Sequence, residues 1–148
     1  MEDSNPTVPL SVKKQVQEVV YGYQANVIFQ YVGNQFIEWS ADINDVHDRA
    51  LSFSVMFNER HQASMLDTVL FPFTAFNISE GYSSEEIIAS ARKLITGDYR
   101  VERALFIASP ILEINTPSGK ISAKVAHIIS WLRSGKKIET EKYVPIIS

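Results

Sequence analysis

The chain has no cysteine. That excludes disulfides, thiol nucleophiles and every cysteine-held zinc or iron–sulfur site. Histidine is scarce as well: His47, His61 and His127 stand far apart, so no metal-binding pair is written locally. No apolar run approaches the roughly 18–20 residues that a bilayer-spanning helix needs. The first residues, Met1 to Pro9, are acidic and polar, without the basic start and apolar core of a secretion signal. The expectation is a protein kept in the cytoplasm, or in an assembled particle released from it, with no membrane contact. A formal net charge of −3 excludes nucleic-acid binding through bulk charge. Arg133, Lys136, Lys137 and Lys142 cluster near the C-terminus, but Glu139 and Glu141 are interleaved with them, as on a solvated mixed-charge strand.

Chemical motifs are equally sparse. Ser118-Gly119-Lys120 and Ser134-Gly135-Lys136 are fragments of a phosphate loop without its full spacing. There is no nucleophile elbow and no dinucleotide fingerprint. Asp42 to Asp48 holds several oxygens but lacks the glycine and the distal glutamate of a calcium loop. Glu59, Arg60 and His61 are neighbours on a loop, where adjacent side chains point apart. Asp98, Arg100 and Glu102 share a strand face by spacing and read as an ion-pair ladder. The sequence therefore nominates no catalytic residue, no metal ligand and no cofactor.

What is abundant is apolar alternation. From Val19 to Val32 the odd positions Val19, Tyr21, Tyr23, Ala25, Val27, Phe29 and Tyr31 are all apolar or aromatic, which reads as one long strand with one committed face. Residues 11–18 fit a short helix through Val12, Val16, Val19 and Val20, and equally a strand. Gly33-Asn34 marks a two-residue hairpin turn. The return strand, 35–43, carries Ile37, Trp39, Ala41 and Ile43 on one face and Glu38, Ser40 and Asp42 on the other. A third strand covers 49–57. Met65 to Phe76 reads as one further strand, at an edge or bulged where Pro72 cannot donate to a ladder.

Ser83 to Glu86 is a capping box that opens a helix. Ile87, Ile88, Ala91, Leu94 and Ile95 form its stripe, and Gly97 stops it. Strands follow at 100–108 and 111–114, then a turn at Asn115-Thr116-Pro117-Ser118-Gly119. Residues 121–132 alternate as a strand but also fit a helix, and a last strand spans 137–147.

The expected fold is mainly β: an antiparallel sandwich or barrel of about seven or eight strands with one inserted helix at about 83–96. Residues 1–9 form an arm, and 10–148 a single β-rich domain. No family is identified by motif. In element order and length the plan resembles phage tail-tube and related secretion-tube proteins. One helix is little cover for so much apolar strand, so some of it is expected to face another subunit. Tyr21, Tyr23, Phe29, Tyr31, Phe71, Phe73 and Phe76 are the candidate interface residues. The expected function is a non-enzymatic structural subunit of a homo-oligomer, a ring or tube such as a phage tail or similar virion component, with other structural proteins as further partners. The alternative is a small-ligand-binding β-barrel with Trp39, Phe53 or Trp131 lining its cavity.

Overall fold

The computed structural model describes residues 7–23, 25–32, 35–43, 50–70, 74–79, 81–102, 110–125 and 136–143. The protein is mainly β, with two helices and two antiparallel sheets. Helix α1, Leu10–Val20, comes first. Five strands follow: β1 Ala25–Val32, β2 Gln35–Ile43, β3 Ala50–Phe57, β4 Ala63–Leu70 and β5 Thr74–Ile78. Helix α2, Ser84–Thr96, leads into β6 Arg100–Glu102, β7 Ile111–Thr116, β8 Gly119–Lys124 and β9 Lys136–Tyr143.

The larger sheet runs β5-β4-β3-β2-β1-β9, and the smaller runs β6-β7-β8. An antiparallel bridge, Phe76 to Val125, links the edge of one to the edge of the other. The Tyr82 hydroxyl holds the same seam from the loop before α2. It donates to the Ser122 carbonyl at 3.2 Å and accepts from the Ser122 N–H at 3.3 Å.

The core lies where the helices meet both sheets. Val12, Val16, Val19 and Val20 of α1 join Ile87, Ala91, Leu94 and Ile95 of α2. Val27, Phe29, Val55, Leu66 and Ile78 come from the large sheet, and Leu112, Ile114 and Ile121 from the small one.

The expected helix is present with the expected ends. The Glu86 N–H donates to the Ser83 hydroxyl at 3.1 Å, and the Ser83 N–H to the Glu86 carboxylate at 2.8 Å. Gly97 closes the helix at φ 79°, a left-handed conformation that suits glycine. The turn expected before Gly119 also holds, as the link of the β7–β8 hairpin.

Four expectations change. The strand read from Val19 to Val32 begins only at Ala25, because Val19 and Val20 end α1. Residues 11–18, open between helix and strand in the sequence, are helical, so the fold has two helices rather than one. The reason is burial: Val12, Val16, Val19 and Val20 recur at i, i+4, i+7 and i+8, and all four are buried. Met65 to Phe76 is not one strand but the two paired strands β4 and β5, matched from Leu70 and Thr74 outward, and Pro72 lies outside the described residues. Among the described residues there are nine strands, against the seven or eight expected. Of residues 121–132, the first four belong to β8, and 126–132 lie outside the described residues.

The register of β2 decides which rows of the sheet its residues join. Phe29, Glu38, Val55, Leu66 and Ile78 form one row across the sheet, and Val27, Ser40, Phe53, Thr68 and Phe76 another. Phe29, Val55, Leu66, Ile78, Val27 and Phe76 are buried with the helices. Ile37 and Trp39 fall in the opposite rows, Gln30–Ile37–Met56–Met65 and Ile28–Trp39–Ser54–Asp67–Asn77. By register, Ile37 and Trp39 therefore fall in the rows that alternate with those packed against the helices.

Candidate functional site

Of the seven candidate interface residues, two belong to the chain's own interior. Phe29 and Phe76 are fully buried in the core. Tyr23 and Tyr31 are partly buried against it. Phe71 and Phe73 lie outside the described residues. Tyr21 is 56% exposed, one of three large apolar side chains left open among the described residues, with Leu10 at 67% and Val125.

Tyr21 sits at the end of α1, beside a groove between the two helices. Glu85, Ile88, Ala89 and Arg92 line it from α2, at i, i+3, i+4 and i+7, and Gln15 and Glu18 from α1. The hollow has a volume of about 420 Å³. A second hollow of about 380 Å³ continues past Arg92 between Lys14, Gln17, Glu18 and Tyr21.

Arg92 joins the two helices. One guanidinium nitrogen donates to the Val19 carbonyl at 3.1 Å and to the Tyr21 carbonyl. Helix C-termini leave carbonyls without intrahelical partners, and a cation there is favoured by the helix dipole. The same guanidinium lies over the Tyr23 ring, 5.4 Å from its centroid. At the other end of the groove, the Gln15 amide donates to the Ser11 and His61 carbonyls at 3.1 and 2.9 Å. The Ser84 hydroxyl accepts from the Ala63 N–H at 2.9 Å, which ties α2 to β4. These bonds fix the groove walls. They leave the carboxylates of Glu18 and Glu85 without an ion pair among the described residues.

A polar hollow lies beyond the C-terminus of α2. Arg100 pairs with Glu102 at 2.5 Å and with Glu113 at 3.0 Å, and Lys120 pairs with Glu113 at 2.9 Å. Asp98 instead pairs with Lys93 at 2.6 Å. Hydrogen bonds from Lys120 and then Arg100 hold the Glu113 carboxyl below its ordinary range. The bond to Glu113 and the charge of Glu102 raise Arg100. Every charge here is answered by another, which makes this a ladder across β6, β7 and β8 rather than a reactive centre.

Asp67 is buried on the far face of the large sheet. It accepts from the Asn77 amide at 2.6 Å, and Asn77 accepts from the Ser79 hydroxyl at 2.9 Å. His61 adopts φ 61° in the β3–β4 loop, where the Asn58 side chain accepts from the Arg60 and Gln62 N–H groups. His47, His127, Trp131 and the Asn44–Asp48 stretch lie outside the described residues. Among the described residues no group of three His, Asp or Glu is placed to hold a metal ion, and no helix is long and apolar enough to cross a membrane.

No protein-family model, curated protein or solved structure matches this chain. The likeness to tail-tube proteins therefore rests on element order and length alone.

Two features of this region escaped sequence reading. The role of Arg92 joins residues more than seventy positions apart, and nothing local announces it. The exposure of Leu10 is legible only once α1 is known to be a helix, because Leu10 then falls opposite Val12 and Val16.

Proposed function

We propose that the protein is a non-enzymatic structural subunit of a homo-oligomeric assembly, a ring or tube of the kind found in virion components. The observation that carries this reading is the register of β2. An apolar strand face is stable only when something covers it. The helices pack on the rows of Phe29–Val55–Leu66–Ile78 and Val27–Phe76, and by register Ile37 and Trp39 fall in the rows that alternate with these. Along those rows Ile28 and Met65 are half-buried, while Met56 and Asp67 are buried. Met56 and Asp67 are covered within the chain, and the part of Ile28 and Met65 left open is what a second subunit would cover.

The test is absolute mass in solution, by light scattering on a sizing column over a wide concentration range. The reading predicts a discrete species well above the 16.7 kDa of one chain. A monomer at every concentration overturns it.

A second reading has one observation in its favour. The α1–α2 hollow of about 420 Å³ falls within the range of small-molecule sites, roughly 300–1,000 Å³. Its described lining comes from the two helices. A ligand there raises the melting temperature of the monomer in a metabolite screen, and the absence of any such shift removes this reading.

A further inference from the structure

We infer that the exposed side of α1 is a two-fold contact between copies of this chain, an inference that rests on the assembly reading and names one of its interfaces. Leu10, Lys14, Gln17 and Tyr21 recur at i, i+4, i+7 and i+11, which aligns them in one stripe along the helix and its C-terminal end. The stripe lies opposite the buried Val12, Val16 and Val19. All four residues are exposed, Leu10 and Tyr21 most unusually for their type. Spacings of four, three and four are those of a helix-pairing seam.

The stripe is self-complementary when reversed. Read forward, with Glu18 on its flank, it runs apolar, basic, amide, acidic, apolar. Read backward it runs apolar, acidic, amide, basic, apolar. A two-fold axis crossing the helix near Gln15 and Val16 sets Leu10 against Tyr21 of the second copy. The same axis brings Lys14 beside Glu18 of the second copy. Each contact then occurs twice, as an isologous interface requires. A parallel pairing in register instead sets Lys14 beside Lys14 and Glu18 beside Glu18, so like charges select the antiparallel arrangement. Neither Lys14 nor Glu18 makes an ion pair among the described residues, so both are available to a partner. The hollow between Lys14, Gln17, Glu18, Tyr21 and Arg92 gives the incoming Leu10 a place to sit. An 11-residue helix offers a short seam, so the contact is weak and depends on concentration.

The experiment is sedimentation equilibrium on the wild type, Lys14→Glu, Glu18→Lys and an equal mixture of the two variants. Circular dichroism checks that the exposed substitutions leave the fold intact. Each variant alone faces two like-charged pairs across the axis, and its association is expected to weaken about tenfold. The mixture places opposite charges at both pairs and is expected to recover wild-type association. Wild-type assembly that neither substitution weakens, or a mixture no tighter than its components, overturns the α1 contact and leaves the assembly reading standing. A wild type that stays monomeric, with a monomeric mixture, overturns both.

Discussion

The two helices of this fold are held in opposite ways. Helix α2 carries its own ends: a reciprocal capping box at Ser83 and Glu86, acids in its first turn, Lys93 in its last, and a left-handed Gly97 after it. Helix α1 has none of these. Its N-cap is Pro9 with no side-chain bond, no acid stands in its first turn and no base in its last. Support comes from outside, through four buried valines, the amide bridge from Gln15 to the β3–β4 loop, and Arg92 reaching over from α2. A helix can thus be specified by its local sequence or by the surface it lands on. The second kind depends on its surroundings for stability.

That contrast can be broken most severely through the core both helices share. Leu94→Ala removes a buried side chain that neither helix can replace, and should cost about 2–5 kcal/mol in urea unfolding. Both helices should be lost in one transition. Arg92→Ala sharpens the contrast, because it strips the carbonyl partners from the end of α1 while leaving the caps of α2 in place. A loss of about 1.5–3 kcal/mol is expected, with amide exchange accelerating in α1 before α2. Equal acceleration in both helices would show that Arg92 supports the core at large. Ser83→Ala is the mirror experiment. It should cost about 1 kcal/mol and fray the first turn of α2 while α1 keeps its protection.

The contrast also explains what was legible. Helix α2 could be bounded from Ser83, Glu86 and Gly97 alone, and the β7–β8 hairpin from the turn residues before Gly119. The start of the first strand could not, because Val19, Tyr21 and Tyr23 continue the alternation of Ala25, Val27 and Phe29 into a segment that is helical up to Val20. Helical and strand periods agree by coincidence over those few positions, and burial of Val12 and Val16 decides between them. The alternation of β2 was readable, but not which rows of the sheet its residues join, since that depends on register with β1 and β3. Phe29 and Phe76 were nominated for an interface for the same reason. Alternation says that a side chain needs cover without saying whether the cover belongs to the same chain.

The smallest expected effect lies in the ladder beyond α2, away from both helices. Glu113 is held below its ordinary range by Lys120 and Arg100. A carboxyl lowered on folding adds stability at pH above its unfolded value, and that stability fades as pH falls through the folded value. Acid titration of the unfolding midpoint should therefore show a decline that begins as pH falls to the ordinary glutamate value, about 4, and continues below it. Glu113→Gln should flatten that decline. A decline of the same slope in the variant would assign it to other carboxylates.

The account turns on α1 being both supported and covered from outside. The most direct measurement is hydrogen–deuterium exchange of the peptides spanning Leu10–Tyr21 and Ser84–Thr96, at low and high protein concentration. The account predicts that protection of the α1 peptide rises with concentration while that of α2 stays constant. Protection of α1 that is the same at both concentrations, in a sample whose mass grows, would place the contact elsewhere and contradict it.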